Sequence, residues 1–88
     1  MSKTVNISKN KSIINLANSL IVDHTDYSFF TKMSSDDGGN HLCIYVDEEA
    51  RDSEYDHRKV EKLINEQFPR LRICNFFVSP GYIKTFLR

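Results

Sequence analysis

The segment Ser35-Asp36-Asp37-Gly38-Gly39-Asn40 constrains the fold more than any other part of this chain. Asp-Gly and Gly-Gly steps supply the positive φ angles that a tight reversal requires. A run with strand character lies on each side. Asp26–Ser34 is rich in aromatic and β-favouring residues. His41–Asp47 alternates, with Leu42, Ile44 and Val46 on one face and His41, Cys43 and Tyr45 on the other. The segment therefore reads as a β-hairpin, which needs further elements to cover its apolar face.

Helical patterns stand before and after the hairpin. From Ser12, the residues Ile13, Ile14, Ala17, Leu20 and Ile21 share one helical face, and the helix is expected to end near Val22. Val60, Leu63, Ile64 and Phe68 share another, with Gln67 its polar exception. Ser53 reads as the N-cap of that second helix, with Asp56 three residues on, and Pro69 stops it. Leu71–Val78 is the most apolar run and reads as a central strand. Ser79-Pro80-Gly81 fits either a type II turn or a capped helix start with Pro80 at its first position. We take the helix, which places Ile83, Phe86 and Leu87 on one face.

Thr4–Ser8 alternates polar and apolar residues and reads as a first strand. The order is then β-α-β-β-α-β plus a C-terminal element. That is the ferredoxin-like α+β sandwich, a four-stranded antiparallel sheet with two helices on one face. Without the first strand the order is α-β-β-α-β, still a two-layer α+β arrangement. At 88 residues, one domain over 1–88 with one core is expected.

No run of about 18 apolar residues is present, so no membrane span is expected. The start carries charge but no apolar stretch of the secretory kind, and a cytoplasmic protein is expected. Cys43 and Cys74 are too few for a disulfide framework. They read as buried free thiols; the alternative is one bridge between adjacent strands.

Motifs for chemistry are weak. His41 and Cys43 share a strand face, but a structural zinc site wants four ligands in two close pairs, so no metal and no cofactor is expected. His24, between Asp23 and Asp26, reads as an exposed loop histidine. Nothing resembles a nucleophile elbow, and Gly38-Gly39 is a turn rather than a phosphate cradle. The run Asn40–Asp47 lacks the leading base and paired aromatics of an RNA-recognition strand. The chain reads as a non-enzyme.

Charge patterning carries the functional expectation. Twelve basic residues balance twelve acids, but ten of the acids fall within residues 23–56 and both ends are basic. The densest stretch runs from Asp47 to Asp56 with Tyr45 and Tyr55 at its margins. Tyrosine suits interfaces because it offers apolar area with a polar tip. The candidate partner-binding residues are therefore Tyr45, Asp47, Glu48, Glu49, Asp52, Glu54, Tyr55 and Asp56. The expected partner is a larger protein with a basic, nucleic-acid-handling surface, blocked in the manner of phage-encoded antagonists of host defence; that comparison is analogy. Direct nucleic-acid binding is not expected of this acidic surface. The alternative is a regulatory or nucleic-acid-binding domain acting through its open sheet face, as a homodimer.

Overall fold

The computed structural model describes residues 2–86, with side chains from Lys9 onward. Helix α1 spans Ser2–His24, strand β1 Phe29–Asp36 and strand β2 Gly39–Asp47. A 3-10 turn at Glu48–Asp52 leads to helix α2 at His57–Gln67, strand β3 at Arg72–Val78 and helix α3 at Pro80–Phe86. The order is α-β-β-α-β-α.

The α+β class holds, and the ferredoxin-like order does not. Thr4–Ser8 belongs to α1 and forms no strand. Residues 2–22 contain neither Gly nor Pro, so nothing interrupts a helix nucleated over the Ile13–Ile21 face. Helix propagation gains one hydrogen bond per residue added, whereas a five-residue strand without a neighbour gains none. The C-terminus of α1 is closed by His24, whose Nδ1 lies 2.7 Å from the Leu20 carbonyl oxygen. That ring is thus a cap for the last turn, not a loop side chain.

The sheet has three strands in the order β1-β2-β3. β1 and β2 pair antiparallel, with Asp36 opposite Gly39 and Phe29 opposite Val46. β2 and β3 pair parallel, with Cys43 opposite Cys74 and Tyr45 opposite Phe76. The central strand is β2, and the apolar run expected there forms edge strand β3. A parallel pair needs a crossover, which the 3-10 turn and α2 supply. Both thiols are free.

At the hairpin, the two loop residues are Asp37 and Gly38, and the one positive φ among described residues is at Gly39, 101°. The left-handed position therefore sits just after the loop. A Cβ on Gly39 would meet nothing within 4 Å. Gly39→Ala should accordingly cost about 1 kcal/mol through backbone conformation alone. A urea midpoint unchanged by this substitution would refute the assignment. Asp36 closes the turn by accepting from the Gly38 N–H (2.8 Å) and from Arg72 at the start of β3 (2.8 Å). Those two contacts, the backbone one first, hold its carboxyl below the ordinary range.

Alternation in β2 divides the sheet into two faces. Leu42, Ile44 and Val46 are fully buried beneath α1 and α2, against Ile13, Ala17, Ile21, Val60 and Ile64. Thr31 of β1 donates to Asn18 of α1 at 2.6 Å and ties that helix to the sheet. The opposite face is crossed by α3, which packs against β1 and β2. Ser79 caps α3 as expected, its hydroxyl accepting from the Tyr82 N–H at 3.3 Å. Ile83 is fully buried under α3, and Phe86 is half-buried. Leu87, expected on the same face, lies outside the described residues.

Candidate functional site

The acidic segment is a braced turn. Asp47 ends β2 and caps the 3-10 turn, its carboxylate accepting from the Glu49 N–H at 3.0 Å. Ala50 is buried and anchors the turn to the core. The Ser53 hydroxyl donates to the Ala50 carbonyl (2.7 Å) and accepts from the Tyr55 N–H (3.1 Å). The N-cap of α2 is Asp56, whose carboxylate accepts from the Arg58 N–H at 3.0 Å. Ser53 therefore closes the 3-10 turn, and the role expected of it passes to Asp56. The sequence shows both residues as cap formers; only the three-residue spacing between them hid which one starts the helix.

The expected partner-binding residues separate into two groups. Glu48, Glu49, Asp52, Glu54 and Asp56 are exposed on and after the turn. Among the described residues, none of Glu48, Glu49, Asp52 and Glu54 forms an ion pair. Arg51, the base within the segment, lies 5.1 Å from the Phe77 ring instead. Asp47 and Tyr55 are withdrawn from the surface, at 7% and 6% exposure. Tyr55 belongs to the core, edge-on to Phe77, with its hydroxyl 3.5 Å from Asn75 Oδ1. It offers almost no surface to a partner, which corrects the expectation that it flanks the acidic surface.

Tyr45 lies on the other sheet face, within an aromatic cluster. Its ring stacks with Phe76 and with Phe86, each at 5.2 Å between centroids, and lies 5.9 Å from Tyr82. Phe30 stacks on Phe86 at 4.6 Å. The Lys32 amine stands 5.8 Å from the Tyr45 ring and 5.6 Å from that of Phe86. Phe76 is 43% exposed and Tyr82 46%. Exposed, clustered rings on a small surface mark interaction sites. Sequence reasoning missed Phe76 because it placed Leu71–Val78 at the sheet centre, and Tyr82 because the period of a short helix does not show which residues its neighbours leave uncovered. Pairing Phe76 beside Tyr45, on the face opposite Ile44, would have found the first.

The turn and the rings are linked through the sheet. Asp47 and Val78 are opposite each other at the end of the parallel pair. The acidic turn leaves β2 from that end, and α3, carrying Tyr82, leaves β3 from the same end. Among the described residues no group of three or more His, Cys, Asp or Glu is placed to hold a metal ion, and no helix is long and apolar enough to cross a membrane. No known protein family, no curated protein and no solved structure matches the chain.

Proposed function

We propose that this chain is a non-enzymatic binding protein that docks on a basic surface of a larger protein and blocks it. The contact would be made at the sheet end where the acidic turn and the exposed rings emerge. The observation that carries this reading is that Glu48, Glu49, Asp52 and Glu54 stay exposed and unpaired among the described residues while the turn beneath them is braced. Unpaired surface carboxylates raise the rate of encounter with a basic partner, and bracing lowers the ordering cost on binding. Phe76 and Tyr82 offer the apolar contact that charge alone does not supply.

The test is a four-site variant, Glu48→Gln, Glu49→Gln, Asp52→Asn and Glu54→Gln, which leaves the caps Asp47 and Asp56 intact. The wild-type chain is used to capture its partner from cells of the native source, and association kinetics are measured with both forms. At low salt the variant should associate about tenfold more slowly, with a flattened salt dependence. An unchanged on-rate would refute the role of the turn. A gel shift of single-stranded RNA by the wild type, abolished by Phe76→Ala, would move the function to the Lys32-covered rings, on which bases can stack.

A further inference from the structure

A cleft of about 570 Å³ lies at the other end of the molecule, next to the hairpin. Its volume is within the range of small-molecule sites. Ile13 of α1, Met33 of β1, and Phe68 and Leu71 of the α2–β3 connection form its apolar part. All four belong to or pack against the main core. Lys9 and Arg70, both exposed, supply its charge. Among the described residues, the rest of the polar lining carries amides and no carboxylate lines the cleft.

All twelve acids lie between Asp23 and Glu66, so residues 1–8 and 87–88 bring none. The nearby Asp36 is held by Arg72 and the Gly38 N–H. The wall formed by the α2–β3 connection is also set in advance. The Asn65 amide donates to the carbonyls of Phe68 (2.9 Å) and Leu71 (3.0 Å), spanning the segment that carries Arg70. The Leu71 N–H donates to the Phe68 carbonyl at 3.1 Å. A pocket wall fixed by internal hydrogen bonds loses little entropy when a ligand enters.

We propose that this cleft binds a small organic anion, a carboxylate on an apolar stem, with the stem against Met33, Phe68 and Leu71 and the carboxylate at Lys9 and Arg70. The charges select the sign, and the apolar floor selects against inorganic anions. This site is separate from the docking surface at the opposite sheet end and stands or falls independently of it.

Sodium octanoate titrated into the full chain, followed by methyl carbon–proton spectra, tests the site. Saturable shifts are expected at Met33, Ile13 and Leu71. Arg70→Gln should weaken binding about threefold, and Lys9→Gln with Arg70→Gln about tenfold, as suits exposed charges acting additively. Lys84→Gln on α3 should leave the affinity unchanged, and octanol and octylamine should each bind more weakly than octanoate by at least the loss seen in the double variant. Spectra superimposable away from the cleft check that each variant is folded. Equal affinities for octanoate and octanol, an affinity unmoved by the double variant, shifts centred on Phe76 and Tyr82, or no shifts at all would each overturn the proposal.

Discussion

Replacing Ile44 by alanine should lower the unfolding free energy by about 3–4 kcal/mol, the largest single-site loss we expect in this chain. Ile44 has no exposed surface and sits mid-way along the central strand, with Thr31 opposite it on one side and Asn75 on the other. The α1 and α2 residues above it are themselves fully packed, so the space left by the lost atoms cannot close without moving a helix. A domain of this length is stable by only about 4–13 kcal/mol, so the loss removes a large share of the total. Ile44→Val should cost about 1 kcal/mol, because one methylene is removed and the β-branch is kept. Urea unfolding of the two variants checks both values. A loss below about 1 kcal/mol for alanine would mean the helices collapse onto the sheet, and that the layer above β2 is softer than its burial implies.

The second large effect depends on pH. The Tyr55 phenol is pushed from its ordinary value of 10 up to about 12, by burial first and then by the negative charges of Glu61 and Asp56. Its neutral form is the one the fold accommodates. Below pH 10 both folded and unfolded chains hold the proton, and the full stability is present. Between pH 10 and 12 the unfolded chain releases the proton and the folded chain does not. Stability attributable to this residue should then fall by about 2–3 kcal/mol across that window. Lysines also titrate there, so the measured quantity is the difference between wild type and Tyr55→Phe. That difference should be small and flat below pH 10, the Asn75 contact being long at 3.5 Å, and should turn in favour of phenylalanine above it. Parallel pH profiles for the two proteins would show that Tyr55 ionises freely in the folded state.

Both effects arise from a core that the sequence outlines well on one side. The spacing of Ile13, Ala17 and Ile21 and the alternation of Leu42, Ile44 and Val46 identify the buried faces, because period alone decides which side chains point together. The hairpin is legible from its glycines and α3 from Ser79-Pro80. What period cannot show is which strand lies beside which. The parallel β2–β3 pair and the edge position of β3 follow from packing across residues far apart in sequence. The same limit governs the candidate surface. The acidic residues are plain in the sequence, but inward and outward positions in a turn obey no period. Tyr55 points inward because Ala50 and Phe77 leave it a place in the core, while Tyr82 stays outside.

The mixed sheet also gives its two strand pairings unequal closure costs. β1 meets β2 across a two-residue loop, a closure that costs little chain entropy. β3 pairs residue 72 with residue 41 and must close across the whole intervening helix. Contacts of such separation carry a larger loop-closure cost than the hairpin does. Phe76, Tyr82 and Phe86 all lie on β3 or after it, so the ring cluster depends on the costlier of the two pairings and is lost whenever that strand leaves the sheet.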